Sequence, residues 1–446
     1  MNSKPPISEQ HNSVSVTLSA EPYISEEYAR AEKDRLWKKV WQVACREEEI
    51  PNPGNYFTYQ IHDQSIIIVR SGKDEISAYR NACLHRGREL TEGCGSTQRF
   101  HCKYHGWQWH LNGEIAKIYD QESFGEGFNT DDVRLMPVNV DRWGGFIFVN
   151  LNNECEPLQE FLDKVPYYLD QFDIGGMRYK WRKAAKVACN WKVAVEAFNE
   201  GYHAATTHPM LSRYGNARIW SRAVGLHSNI GQAQAGGGGI GTSVNSKEGM
   251  DLRAAALGAV KQQKEVCNAN TTDSFIAAAE KLFDVLPESA SPTEVSTKLM
   301  EIAHQIDAER GVSWPEIDRE KLIEGGINWN VFPNTIILPN VTFCLGFRAR
   351  PDGTDPDSCL FEVFALERYP KGEEPKPEIE HEVEFTEERW GLLLAQDFGN
   401  MPNVQKGLKT DGLVLRPNPY WEASIINFQR SLAKYMGSGG PKECDA

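Results

Sequence analysis

Cys83-Leu84-His85-Arg86-Gly87 and Cys102-Lys103-Tyr104-His105-Gly106-Trp107 are two short Cys/His boxes, with sixteen residues between His85 and Cys102, in a chain of 446. Two thiolates and two imidazoles can hold one 2Fe–2S cluster in which His replaces Cys on one of the two irons. That exchange raises the reduction potential above that of an all-Cys cluster, so the group accepts electrons readily and passes them on. The same side chains could instead hold a structural zinc, whose tetrahedral site takes the same ligands. Zinc fingers usually put two Cys in one box and two His in the other; each box here mixes them, which favours the cluster.

Around the boxes the sequence has the texture of short strands. YFTYQI, SIIIV, ISAYRNA, FHCKYHGWQW, EIAKIY and FIFVNL fall between Asn55 and Leu151, and Asn112-Gly113 supplies a tight turn after the second box. Both boxes therefore lie at or beside strand ends, where loop N–H groups can reach cluster sulfurs. Residues 42–155 read as one compact β domain. Before it, residues 1 to about 24 are polar and read as flexible. A helix starts at Ser25, with Glu26 and Glu27 in its first turn and Leu36, Trp37, Val40 and Trp41 along one apolar face.

The second strong signal is Asn190-Trp191-Lys192-Val193-Ala194-Val195-Glu196-Ala197-Phe198-Asn199-Glu200-Gly201-Tyr202-His203-Ala204-Ala205-Thr206-Thr207-His208-Pro209. Read as a helix from Asn190 to about Thr206, it places Glu200 and His203 on one face. His208 is five residues further, where Pro209 suits a helix end. Two imidazoles and one carboxylate on one side of iron form the triad of non-heme Fe(II) oxygenases, which leaves positions open for dioxygen. Glu-x-x-His alone is weak: di-iron bundles use it twice, and only one copy is present here.

Together the boxes and the GYHxxxxHP string resemble the Rieske non-heme iron oxygenases, in particular the terminal oxygenase component (alpha subunit) of the ring-hydroxylating type. Arg88 and Tyr104 stand where respiratory-type Rieske proteins carry an extra cysteine pair, which points to the oxygenase branch. The resemblance spans nearly the whole chain. It implies an α+β fold, with an all-β Rieske domain (42–155) before a helix-grip catalytic domain (156–446) of helices on a curved antiparallel sheet. The 1–41 tail and helix would pack on the catalytic domain.

As cluster ligands the resemblance implies Cys83, His85, Cys102 and His105; as iron ligands it implies His203, His208 and Asp397. Asp397 is chosen because the string Ala395–Leu408, with Gln405 following, is similar to the family's late segment; Glu387 and Glu388 are the alternatives. Glu200 matches an acid that is not a ligand but joins the iron-bound His to a cluster-bound His of the neighbouring subunit. Many ring-hydroxylating members have Asp there, whereas members with Glu include enzymes that remove N-methyl groups from quaternary amines. A carboxylate between two imidazole N–H donors would orient both rings.

The activity so implied is dioxygen-dependent hydroxylation of an apolar aromatic or polycyclic, steroid-like substrate, as in aromatic hydrocarbon catabolism. The alternative is oxidative N- or O-demethylation. The cofactors would be a Rieske 2Fe–2S cluster and one mononuclear Fe(II). Electrons would come from NAD(P)H through a separate reductase, with or without a ferredoxin, into a homotrimer with or without a β subunit. No Gly-rich dinucleotide fingerprint is present; Gly236–Gly239 follows no clear strand. An electron carrier or zinc-binding protein without catalysis would leave His203, His208 and Asp397 without a role.

Composition narrows the setting. A net charge of −14 argues against nucleic acid and anionic membrane as partners. No run of apolar residues is long enough to span a bilayer, and the N-terminus lacks a signal-peptide core, so a cytoplasmic location is expected. Apart from the two in the boxes, the ten cysteines read as ordinary small apolar residues. Further along, residues 228–260 are Gly/Ala-rich and read as a mobile loop or lid, and 272–310 as helical. Asn328–Pro339, Val341–Arg350 and Cys359–Arg368 read as strands, and Thr386–Leu394 as a final helix. Phe198, residues 235–242 and alternate residues of Trp329–Phe347 are the candidate pocket walls, although a core role serves those apolar residues equally well.

Overall fold

The structure, a computed structural model, describes residues 14–213, 218–233 and 250–444. It divides into two units: Arg30–Phe161, and the segment up to Ala29 together with Leu162 onward. The first boundary thus falls within the helix Glu26–Glu32, rather than after residue 41. As expected, Ser25 caps that helix, its Oγ accepting from the Tyr28 N–H at 3.1 Å.

Arg30–Phe161 carries three antiparallel sheets. Asn55–Ile61 and Gln64–Arg70 form a hairpin, flanked by Cys94–Ser96 on one side and Ile76–Arg80 on the other. Ile66 to Val69 are fully buried, which explains an apolar run without alternation. A small sheet of Phe100–His101, Gln108–Trp109 and Ile115–Lys117 carries the second box. Cys83, Cys102, Trp107 and Trp109 share one core with Ile67, Val69, Tyr79 and Phe100, so the boxes are rooted in packing rather than laid on the surface.

The other unit is built on an eight-stranded sheet. Its spatial order is Arg218–Val224, His227–Ala233, Asn328–Val331, Thr335–Pro339, Phe343–Asp352, Asp355–Glu367, Arg178–Val187 and Glu378–Glu380. All neighbours are antiparallel except the last, which runs parallel to Arg178–Val187. Helices pack against this sheet, giving the α+β class.

Four expectations are corrected here. Residues 228–260 are not one loop: His227–Ala233 is a strand, and Leu252–Cys267 is a helix capped by Asp251. The alanines signalled that helix, since Ala is the best helix former and Ala255 and Ala256 are buried in close packing. That helix joins Asp273–Val285 and Pro292–Glu309 around a shared apolar core. Gly236–Gly239 and residues 235–242 lie outside the described residues.

The helix expected over Thr386–Leu394 is broken at Gly391, whose φ of +82° ends Glu387–Trp390. A new helix then runs Leu392–Leu408, and a further one covers Ala423–Met436. The tail is ordered from Val16, because Val16–Ser19 pairs with Val414–Leu415 and Lys442–Glu443 and buries Val16 and Leu18. Finally, Cys45, Cys189, Cys267, Cys344 and Cys359 are buried as small apolar residues would be, but Cys94 and Cys444 are exposed.

Candidate metal centres

The two boxes fold as near copies. The Gly87 N–H donates to the Cys83 carbonyl at 2.8 Å, and the Gly106 N–H to the Cys102 carbonyl at 3.0 Å. In return the Cys83 N–H donates to Arg88 and the Cys102 N–H to Trp107, both at 2.8 Å. Each loop closes through a glycine at φ +78°, a conformation most side chains avoid. Both cysteines are buried, and the His85 and His105 Nδ1 atoms face each other at 3.0 Å. Trp107 stacks on His85 with centroids 5.2 Å apart, fixing the ring plane.

Burial pushes the Cys83 thiol up, helped by the neighbouring Cys102 thiol, while the His85 and Arg86 N–H groups pull the other way. Those two N–H groups are donors aimed at a future thiolate, of the kind that tunes cluster potential. The donors therefore come as one thiol pair and one imidazole pair. Among the described residues, only His203, His208 and Asp397 form a set of three or more ligand atoms all within 4.8 Å of one another. The four box residues do not converge that way, as one tetrahedral zinc requires. Pairing two and two fits a body with two irons.

The second centre starts from the helix Trp191–Glu196. Asn190 caps it, accepting from the Lys192 N–H at 3.1 Å, and the Gln405 Oε1 accepts from the Asn190 N–H at 3.0 Å. The helix stops there; residues 197–203 form a bend before Ala204–Thr207. Glu200 and His203 therefore do not share a helix face, contrary to the expectation from their spacing. The bend is pinned to the sheet and to the helix Ala423–Met436 instead. Asn328 Nδ2 donates to the Phe198 carbonyl at 2.9 Å, Ser228 Oγ to Asn199 Oδ1 at 3.3 Å, and Ser424 Oγ to the Asn199 carbonyl. A Cβ on Gly201 would lie 2.5 Å from Ile219 Cδ1, so a larger residue there would have to push that side chain aside.

The bend brings the expected residues together. Glu200 Oε1 pairs with His203 Nδ1, and its other oxygen accepts from the Tyr202 and His203 N–H groups. His208 Nδ1 lies 2.8 Å from Gln396 Oε1. With both Nδ1 atoms engaged, both Nε2 atoms face Asp397: its Oδ1 is 3.0 Å from His208 and 3.6 Å from His203. Burial acts to lower the His203 imidazole, but the Glu200 bond and charge, with the Asp397 charge, outweigh it and raise it. Such a set of two imidazoles and one carboxylate could hold a single Fe(II).

Glu387 and Glu388 are exposed on the short helix before Gly391 and do not join the set. Of the candidate pocket walls, Phe198 stacks on Phe347 at 4.0 Å and on Phe361 at 5.4 Å, and all three are buried. They are core beneath the ligand-bearing bend. Trp329 packs on Tyr168, also in the core. A cavity of about 450 Å³ lined by Lys186, Phe385, Ala395, Phe398 and Gly399 lies on the face of Leu392–Leu408 turned away from Asp397.

Two residues at the site escaped sequence reasoning. Gln396 sits inside the string that singled out Asp397, but nothing in the string marked it. The Glu422 carboxyl is pushed up by burial and then by the Glu200 charge, while the Asn418 N–H and His203 oppose this. Glu422 stands at the start of the helix Ala423–Met436, which the sequence pattern did not reveal.

Residues 174–438 match the family model of the ring hydroxylating alpha subunit (catalytic domain), and residues 40–134 that of the Rieske [2Fe-2S] domain. The chain belongs to the Rieske ring-hydroxylating alpha-subunit family. It is similar to the glycine betaine monooxygenase oxygenase subunit of Pseudomonas aeruginosa, with 27% identity over 42% of this chain and 44% of that one. It is also similar to the anthranilate 1,2-dioxygenase large subunit of Acinetobacter baylyi, with 32% identity over 43% of this chain and 42% of that one. These alignments span less than half of either relative. In fold it resembles the quaternary ammonium Rieske monooxygenase CntA bound to L-carnitine: TM-score 0.63, 19% identity, 95% of this chain and 96% of that one. Naphthalene 1,2-dioxygenase with indole bound gives 0.64, 18%, 95% and 93%.

Proposed function

We propose that this chain is a terminal oxygenase component that takes electrons from a separate NAD(P)H-dependent reductase and uses dioxygen to oxidise a small organic substrate. The observation that carries this reading is the convergence of His203, His208 and Asp397 in one unit, with the paired Cys83/Cys102 and His85/His105 in the other. Cys83, His85, Cys102 and His105 would hold the cluster, and His203, His208 and Asp397 the iron. When bound, the two groups supply one-electron transfer and dioxygen activation. The protein's own part is to fix which nitrogen of each imidazole faces the metal.

Glu200 holds His203 through Nδ1, and in a homotrimer it would join that ring to a cluster histidine of the neighbouring subunit. No helix among the described residues is long and apolar enough to cross a membrane; a cytoplasmic location is part of the same proposal. The first substrate reading is an aromatic or polycyclic ring. A second, N-demethylation of a quaternary amine, is favoured by Glu200 and by the quaternary-ammonium oxygenases among the relatives.

Purified protein should contain the iron and labile sulfide of one 2Fe–2S cluster plus one further iron per chain. Supplied with a reductase and labelled dioxygen, it should put label into a hydroxylated ring product, or release formaldehyde from a trimethylammonium compound. Zinc in place of iron, or a red-brown protein that never consumes dioxygen with any substrate of either class, would overturn the reading.

A further inference from the structure

We infer that Gln396 is a positioning residue that fixes the tautomer of His208 and so makes the triad ready for metal. The inference rests on the iron site proposed above. Gln396 and Asp397 are neighbours on the helix Leu392–Leu408, and between them they address both nitrogens of one imidazole. Gln396 Oε1 stands 2.8 Å from Nδ1, and Asp397 Oδ1 stands 3.0 Å from Nε2.

An amide oxygen only accepts, so the Nδ1 it faces must carry the hydrogen. In the neutral ring the Nε2 then presents its lone pair to Asp397. Without Gln396, the other tautomer would donate from Nε2 to the Asp397 carboxylate and close the site on itself, with a ligand pair satisfied without any metal. With Gln396, a lone pair and a carboxylate oxygen confront each other at 3.0 Å, an arrangement that a cation relieves.

The Nδ1 partner of His203 is the carboxylate of Glu200, whereas the partner of His208 is a neutral amide. The site thus orients both rings while placing a negative charge behind the Nδ1 of only one of them. Gln396 is the residue that keeps the other side neutral.

The test uses Co(II) alone as probe, titrated into full-length protein freed of mononuclear metal but retaining its cluster, with cluster absorbance and circular dichroism as the checks on folding of the two units. Gln396→Leu should weaken Co(II) binding about 10- to 100-fold, the usual loss when such a partner is removed, and should alter the Co(II) absorption bands. Gln396→Glu, which keeps the acceptor and adds charge, should bind at least as tightly as the unaltered protein. If Gln396→Leu loses its cluster colour, Gln396→Asn replaces it; the amide is one methylene too short, and the same loss is expected.

Unchanged affinity and bands in Gln396→Leu would overturn the inference. So would a Gln396→Glu protein that binds as weakly as the leucine variant, because the side chain would then matter only for packing. His208→Ala separates the two levels. Retained Co(II) binding there would mean the metal site itself was misread; loss there with no effect at Gln396 would sink this inference alone.

Discussion

Glu196→Gln should flatten the pH dependence of this protein's stability. Glu196 is the last residue of the helix that leads into the ligand-bearing bend, and it is buried in a network of three side chains. The Tyr23 hydroxyl donates to its two oxygens at 2.9 and 3.0 Å, and Gln429 Nε2 to one of them at 2.6 Å. Burial pushes the carboxyl from an ordinary 4.5 up to about 7, although the bonds from Gln429 and Tyr23 and the charge of Lys192 resist. The same burial, with the charge of Glu196, drives Tyr23 well above its ordinary range.

A folded-state value above the unfolded one means that the folded form holds the proton more tightly. Its contribution is complete below about pH 4.5 and is lost as pH rises through about 7. At 1.36 kcal/mol per unit the whole contribution is about 3 kcal/mol, most of which disappears between pH 5 and pH 8. Gln keeps an acceptor for Tyr23 and Gln429 but cannot ionise. Urea midpoints followed by tryptophan fluorescence at those two pH values should therefore fall less in Glu196→Gln, by roughly this amount once converted through the m-value. At pH 8 the variant should be at least as stable as the parent. An identical fall in both proteins would refute the claim that this carboxyl takes up its proton on folding.

The remaining expectations concern the two centres and the sheet. His203→Ala, His208→Ala and Asp397→Ala should each lose the mononuclear iron yet keep the cluster colour, read by metal analysis and visible absorption. His85→Cys or His105→Cys should lower the cluster's reduction potential in a redox titration, because imidazole ligation sets the higher value. Glu200→Gln should retain both metals and lose most turnover; co-assembled with His105→Ala it should regain activity, and verified mixed assemblies that stay inactive would exclude electron transfer between subunits. Gly346→Ala would place a Cβ 2.1 Å from the Phe364 ring, so a loss of about 1–3 kcal/mol is expected, seen as a lower Tm.

The parts of this molecule that were legible in the sequence are those where chemistry restricts residue type over a short span. Each metal box is a closed loop, so its Cys, His and Gly must sit within a few positions of one another, and the spacing survives as a readable string. Glu200, His203 and His208 are similarly local. Asp397 is not: it arrives from a helix almost two hundred positions away, and only resemblance to a known segment pointed to it. Gln396 and Glu422 had no such pointer. Helix limits failed where a single residue overrode a periodic pattern, as Gly391 did. The helix Leu252–Cys267 was missed because it was read together with the glycine run just before it, although its own alanines favour helix.

The helix expected through Glu200 and His203 deserves a physical account, because its absence is what makes the site possible. On one continuous helix, His203 and His208 would project about 140° apart, too far for both rings to reach one ion. Ending the first helix at Glu196 and starting a short one at Ala204 frees the intervening backbone to turn. The cost is that Phe198 and Asn199 lose their helical partners. Asn328 and Ser424 supply donors to those two carbonyls from the sheet and the C-terminal helix. Glu200 then accepts from the N–H groups of Tyr202 and His203, which no helix serves. One carboxylate thereby holds the backbone turn and the ring that the turn presents, so changes at Glu200 should disturb ligand placement as well as charge. In Glu200→Gln the remaining oxygen can still accept from that backbone while the negative charge is gone.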